Sequence, residues 1–283
     1  MSRTEIRAYA KVNFILNILG TRPDGFHEIE SVMQAVSLCD DVALSWTPEG
    51  DGLSIELHPG RDDLPCDDGN LAYRAALAMH RRFHPDRSES MRIDVVKRIP
   101  VAAGLAGGSA DAAAVINALA ELWDIGDEAA LCETAAQLGS DIPFCLMAQR
   151  GKTAAIATGR GTELEFIPPT KFSLLLTTPE IAVPTRAVYA ELRPEDCTLR
   201  CDVSAFRGDL SPERKLASMG NHLQAPALRL FPSIADVLAL HASLDGMRHT
   251  QLSGSGPTVF SVLGTRTDEE ASPDLHGIVT AAI

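Results

Sequence analysis

Residues 100–115 read PVAAGLAGGSADAAAV. Glycine and alanine crowd the first half, and a strong helix former fills the second. The segment follows MRIDVVKRI, an alternating run that predicts a strand ending at Pro100. Strand, glycine-rich loop, then helix is an arrangement that can seat an anion. Glycines open backbone conformations closed to other residues, and small side chains let a bulky group reach the main chain. A helix starting near Gly108 offers unpaired N–H groups and the positive end of its dipole. The bland alternative is a loop followed by an alanine-rich core helix, and spacing alone leaves both readings open. The common phosphate signatures are missing: there is no G-x-x-x-x-G-K-[ST], no G-x-G-x-x-G after a strand, and no protein-kinase set.

Outward from this loop, the chain reads as an ordinary globular protein of 283 residues, 45% apolar and 22% charged. Its formal net charge of −13 argues against nucleic acid or an anionic membrane as a main partner. A small anionic ligand stays compatible, because a helix end and a few lysines can build a local positive site. The six cysteines show no C-x-x-C pattern and no zinc-site spacing, which points to reduced thiols and a cytoplasmic protein. The apolar start FILNIL is broken by Asn17, so no signal peptide is expected, and no run of ~20 apolar residues exists to span a membrane.

The segment RAYAKVNFILNIL predicts a half-buried strand, with Ala10, Val12, Phe14, Leu16 and Ile18 inward and Lys11, Asn13 and Asn17 on the polar face. SVMQAVSLCDDVALSW and GLSIELH follow as strands. Asn70 opens a helix, Asp127 caps another that Gly139 ends, and Ser140 or Asp141 caps a third with Pro143 in its first turn. Beyond Pro168-Pro169 come strand KFSLLLTT, helix PTRAVYAEL, a polar loop over 193–212, and a helical stretch over 213–242 interrupted at Pro226 and Pro232. Strands PTVFSVLG and HGIVTAAI close the chain. The elements mix without strict βαβ alternation, which predicts an α+β fold in two parts, 1–166 and 167–283.

Three further features carry possible chemistry. QLSGSGPTVF at 251–260 is a second glycine-rich turn before a strand. Asp141 in LGSDIPF has an everyday explanation as a helix cap, and Lys11 has one as a solvated strand residue. RPDGFHEIES at 22–31 looks like a turn hinged at Asp24-Gly25, with His27 as a loop residue.

Taken together, AYAKVNFILNILGTRPDGFHEIES, PVAAGLAGGSADAA, LGSDIPF and LSGSGPT resemble the GHMP kinases, in the family's order and over nearly the whole chain. The N-terminal stretch is most similar to members that phosphorylate a cytidylated methylerythritol. The resemblance implies an N-terminal domain like domain 2 of ribosomal protein S5, a ferredoxin-like C-terminal domain, and an active site between them. It implies ATP as cosubstrate with Mg²⁺, and transfer of the γ-phosphoryl group to a tertiary hydroxyl. Lys11 and Asp141 become the catalytic pair, Asp141 as base and Lys11 beside it. Pro100, Val101, Ala102, Ala103, Gly104, Leu105, Ala106, Gly107, Gly108, Ser109 and Ala110 become the ATP-binding loop, with Asn70 near adenine. Asn13, Phe26, His27, Thr185 and Tyr189 become substrate-binding residues. Ser109 is a candidate to steady the metal–phosphate unit; no acidic residue is assigned to the metal, and Asp111 is expected to complement the helix dipole in the first turn. The chain departs from the family's commonest loop at Ala103 and Ala106, where glycine is usual, and has Phe26 where tyrosine is frequent. A monomer or weak homodimer is expected.

Overall fold

The computed structural model describes residues 2–264 and 277–283. Contacts gather the chain into two compact units, Met1–Ala10 with Leu38–Val101 and Ala106–Thr153, and Lys11–Ser37 with Ala102–Leu105 and Ala154–Ile283. Two long strands, β1 (Ser2–Thr21) and β2 (His27–Thr47), contribute residues to both.

In the first unit, β3 (Leu53–His58) and β4 (Glu89–Val96) extend the second half of β2. β4 runs antiparallel to β2, from Asp41 opposite Val96 to Thr47 opposite Ser90, and parallel to β3. Four helices complete the unit: α1 (Leu71–Phe83), α2 (Gly107–Leu122), α3 (Glu128–Leu138) and α4 (Ile142–Ala148). The caps fall where the sequence puts them. Asn70 Oδ1 accepts the Ala72 N–H, and Asp127 Oδ1 accepts the Ala130 N–H. Every residue of α2 from Ala110 to Ala120 is buried. Its alanines have a packing purpose, since small side chains let α1 and α4 pack closely against the helix.

A polar cluster anchors the chain just before the loop. Lys97 Nζ lies 2.6 Å from Asp40 Oδ2 and 2.8 Å from Asp111 Oδ2, and Asp40 Oδ1 accepts the Ile99 N–H at 2.8 Å. Asp111 therefore does not complement the dipole of the first turn. α2 begins at Gly107, so Asp111 falls beyond that turn and faces a buried ammonium.

In the second unit, β5 (Ala154–Gly159) pairs antiparallel with the first half of β2, and β6 (Glu163–Phe166) closes a hairpin on it. β7 (Ser173–Thr177), β9 (Met247–Leu252), β10 (Val259–Leu263) and β11 (Ile278–Ala281) make an antiparallel sheet in the order β11-β7-β10-β9. Helices α5 (Thr185–Ala190), α6 (Pro212–Ser218), α7 (Gln224–Leu230) and α8 (Ser233–Ser243) complete it, with the short β8 (Gly220–Asn221) parallel to β1. Phe14 is the hub of the core, 5.7 Å from Phe172, 5.8 Å from Phe206 and 6.0 Å from Phe260 between ring centroids.

Several boundaries differ from the sequence reading. The helical stretch over 213–242 breaks at β8, not at Pro226, which lies in the first turn of α7, where a missing N–H costs nothing. β5, β6 and β9 carry too little alternation to announce themselves. β1 is buried on both faces from Ala10 to Ile18, so its polar residues are not solvated. The polar loop after α5 is tightened by two 3-10 turns, Pro194–Cys197 and Val203–Phe206. Among the described residues no helix is long and apolar enough to cross a membrane.

Candidate active site

In the second unit three separate stretches of sequence converge. Lys11 on β1 is only 4% exposed, and its Nζ donates to Asn13 Oδ1 at 2.8 Å and to Gly104 O at 3.3 Å. Asn13 is fixed in turn, donating from Nδ2 to Ser31 Oγ at 2.8 Å, while the Ser31 hydroxyl donates to Ile15 O at 2.6 Å. The loop is stitched on both sides. Leu105 O accepts the Lys11 N–H, and Ala103 O accepts the Thr258 N–H. Ser253 Oγ donates to Gly104 O at 3.0 Å, the same carbonyl that holds Lys11.

Glycine is required at position 104. Its φ is +75°, and an added Cβ would stand 2.3 Å from Ser253 O and 3.0 Å from Gly256 O. Gly254 closes the cluster from the late loop. A Cβ there would lie 3.4 Å from Gly104 O, 3.5 Å from Asn13 Oδ1 and 3.7 Å from Lys11 Nζ. Asn221 ties that loop down, donating from Nδ2 to Leu252 O at 3.0 Å and Gly254 O at 2.8 Å. Thr185, at the start of α5, shares a hydrogen bond with Ser255 at 2.9 Å. The His27 and Tyr189 rings meet at 4.9 Å with a 39° tilt, and Phe26 beside them is exposed.

In the first unit, Gly107, Gly108 and Ser109 supply the first N–H groups of α2, while the Ala110 N–H is already bonded to Ala106 O at 2.8 Å. Ala106 caps the helix in the left-handed region at φ 59°, and Ala102 lies there too at φ 53°. The two alanines adopt conformations in which glycine is at ease. A Cβ on Gly108 would sit 3.8 Å from Leu71 Cδ1, so the residue after Asn70 borders the start of α2. Asn70 itself spends its side chain locally, capping α1 and donating to Pro65 O at 2.9 Å. Pro100 and Val101 lead into the loop, with Val101 exposed.

Asp141 stands at the N-cap of α4, yet its side chain makes no capping hydrogen bond. α4 is held to α2 by Gln149, which donates from Nε2 to Ala110 O at 2.9 Å, and by Asn117, which donates to Leu146 O at 3.1 Å.

Lys11, Asn13, Gly104 and Gly254 thus sit together, and Thr185 joins the same late loop. His27 and Tyr189 form a second group. Asn70, Gly107 to Ala110 and Asp141 belong to the first unit. Ser31, Ser253 and Asn221 escaped the sequence reading. Each acts by holding another residue, and single serines or asparagines in strands and turns carry no local signal of that.

Residues 70–149 match the GHMP kinases N terminal domain. The 4-diphosphocytidyl-2-C-methyl-D-erythritol kinase of Exiguobacterium sibiricum is 39% identical over 91% of this chain and 88% of its own length. That of Pelobacter propionicus is 36% identical over 96% and 94%. The chain belongs to the 4-diphosphocytidyl-2-C-methyl-D-erythritol kinase family of GHMP kinases. A crystal structure of 4-(cytidine 5'-diphospho)-2C-methyl-D-erythritol kinase, 34% identical, superposes with a TM-score of 0.72 over 92% of this chain and 90% of its own. A homoserine kinase from Cytophaga hutchinsonii shares the fold at 18% identity and a TM-score of 0.67. The mixed α+β architecture with two sheets is that of a two-domain GHMP kinase.

Proposed function

We propose that this protein transfers the γ-phosphoryl group of ATP to the 2-hydroxyl of 4-diphosphocytidyl-2-C-methyl-D-erythritol, a step of the non-mevalonate route to isoprenoid precursors, in the cytoplasm. The observation that carries the reading is the convergence of Lys11, Asn13, Gly104 and Gly254 on a buried ammonium. A lysine so buried and so deliberately oriented has a use beyond solvation, and the family membership says which chemistry to test.

The residues divide the work as follows. ATP lies along the loop from Pro100 to Ala110, its phosphates taking the N–H groups of Gly107, Gly108 and Ser109 at the positive end of α2, with Asn70 toward adenine. Asn13 Oδ1 and Gly104 O accept hydrogen bonds from the Lys11 ammonium and orient it. Lys11 stabilises the negative charge that builds on the substrate oxygen, and Asp141 accepts the hydroxyl proton. Phosphoryl transfer has a loose transition state, so position and charge matter more than base strength. Phe26, His27, Tyr189 and Thr185 receive the substrate, the aromatic rings taking the cytosine. For the two family domains we propose the division 1–166 and 167–283, distinct from the two contact units of the fold.

Among the described residues no group of three or more His, Cys, Asp or Glu gathers to hold a metal. Asp111, the nearest carboxylate along α2, has one oxygen taken by Lys97. Such a donor set fits a Mg²⁺ ion that arrives on the triphosphate, with the Ser109 hydroxyl as its protein-side support. When bound, the ion neutralises phosphate charge.

Replacing Asp141 by Asn tests the assignment. ATP binding should survive while kcat falls by at least about a hundredfold. Near-normal turnover would remove Asp141 from the chemistry.

A further inference from the structure

The ladder between β2 and β4 ends at Asp41 opposite Val96, and the chain then leaves the sheet for the glycine-rich loop. One carboxylate takes over where the ladder stops. Asp40 Oδ1 accepts the N–H groups of Arg98 and Ile99, and Asp40 Oδ2 accepts from Lys97 Nζ at 2.6 Å. Residues 97 to 99 are thus held by a single buried side chain. The Lys97 ammonium reaches on to α2, donating to Asp111 Oδ2 at 2.8 Å, and its side chain is 5% exposed. Gly107 and Asp111 are one helical step of i to i+4 apart, so both lie on one face of α2. A Cβ on Gly107 would stand 3.4 Å from Lys97 Nζ and 2.9 Å from Ile99 Cγ2. The first turn of α2 therefore rests directly on residues 97 and 99.

That support has a purpose at this helix. Its N-cap, Ala106, makes no side-chain capping bond. The N–H groups of Gly107, Gly108 and Ser109 have no acceptor inside the helix, as in the first turn of any α-helix. A seat built from main-chain N–H groups works best when their directions are fixed before the anion arrives. A side-chain cap would fix the start of α2 from within. Here the tie from Asp40 through Lys97 to Asp111 fixes it from the side.

We infer that Lys97 is a positioning residue for the phosphate seat: held by Asp40 and tied to Asp111, it fixes the first turn of α2 and so aims the N–H groups of Gly107, Gly108 and Ser109. This role rests on the proposed placement of ATP along the loop. Lys97 acts through the helix, since both of its acceptors are protein carboxylates. A purely electrostatic role would have the opposite signature. As a carboxylate, Asp111 puts negative charge near an anion seat. Deleting it would tighten phosphate binding if charge alone mattered, and loosens it if the tie matters.

The test compares the wild type at about pH 8 with Asp111→Leu, which is close in size but has no acceptor, and Asp111→Asn, which keeps an oxygen for Lys97. Lys97 stays paired with Asp40 in both, so no buried cation is orphaned. Ligand-observed NMR titrations measure ADP and adenosine binding. Asp111→Leu should weaken ADP by at least about fivefold and change adenosine by less than about twofold, because only the phosphates use the first turn of α2. Asp111→Asn should stay within about twofold of the wild type for both ligands. In turnover, the KM for ATP should rise at least about fivefold in Asp111→Leu, while the KM for the cytidylated alcohol stays within about twofold. Adding Lys97→Met to Asp111→Leu should weaken ADP by no more than about twofold further, since both changes cut one tie. Unchanged or tighter ADP binding in Asp111→Leu would overturn the inference. So would equal weakening of ADP and adenosine, the mark of a general loosening. A wild type that binds ADP but releases none with the cytidylated alcohol would refute the proposed substrate, and the binding measurements would still decide the role of Lys97.

Discussion

Gly104→Ala places a methyl group where the fold has no room for one. The added carbon would lie 2.3 Å from Ser253 O, more than 1 Å inside the 3.4 Å at which ordinary contact begins, and 3.3 Å from Gly256 N. The obstructing atoms are backbone, so no side chain can swing away. An L-residue at φ +75° adds conformational strain. The strain is about 1–2 kcal/mol, and overpacking adds about 1–3 kcal/mol. Relief requires the 253–256 loop to move off Gly104, which breaks the Ser253 bond to the carbonyl that also holds Lys11. Gly246→Ala is the matched control: φ is +85°, and nothing lies within 4 Å of the added carbon. It should carry the strain alone. Urea unfolding and steady-state turnover measure both variants. Gly104→Ala should lose about 2–5 kcal/mol of stability and at least about tenfold in kcat/KM. Gly246→Ala should lose about 1–2 kcal/mol and keep its activity. Equal losses in the two variants would refute the close packing of the two glycine loops.

Ala106→Gly makes the opposite change, relieving a left-handed alanine at the cap of α2. It should stabilise the protein by about 0.5–1 kcal/mol after the entropic cost of glycine, seen as a higher thermal midpoint. Glu89 is fully buried; burial by itself would raise its pKa, but bonds from His80, Trp46 and His84 hold it below the usual range. Glu89→Gln should cost about 1–3 kcal/mol at neutral pH, and the wild-type advantage should vanish as acid protonates the carboxylate. Asp111 is pushed up to about 7, chiefly by burial and against the pull of Lys97. The folded chain therefore keeps a proton that the unfolded chain releases near 3.8, so this group's contribution declines as pH rises through that window and is level above about 7. The thermal midpoint of Asp111→Asn relative to wild type should move in favour of the variant from pH 5 to pH 8; movement the other way would contradict the assignment.

The readable parts of the fold were those whose cause is local. Alternation revealed β1, and side-chain caps revealed α1 and α3 because Asn70 and Asp127 bond within their own turns. The break at β8 was hidden because Pro226 looked like the stronger interruption, although a proline in the first turn of α7 interrupts nothing. β5 reads AAIATG, small residues buried throughout most of the strand, with no period to detect. The site was legible as a set of motifs and illegible as a geometry. The burial of Lys11 depends on Gly104 and Asn13, and Gly104 depends on Ser253, 149 residues further on. The position of Asp111 was misread because α2 starts one residue earlier than Gly108 and Lys97 reaches the carboxylate from the preceding strand's end.

The central claim is an activity, and ADP release measures it. Purified protein with ATP and Mg²⁺ should release ADP when the cytidylated methylerythritol is added, and the Lys11→Met and Asp141→Asn variants should each fall by at least about a hundredfold while still binding ATP. ADP release that ignores the cytidylated substrate, or variants as fast as the wild type, would contradict the account.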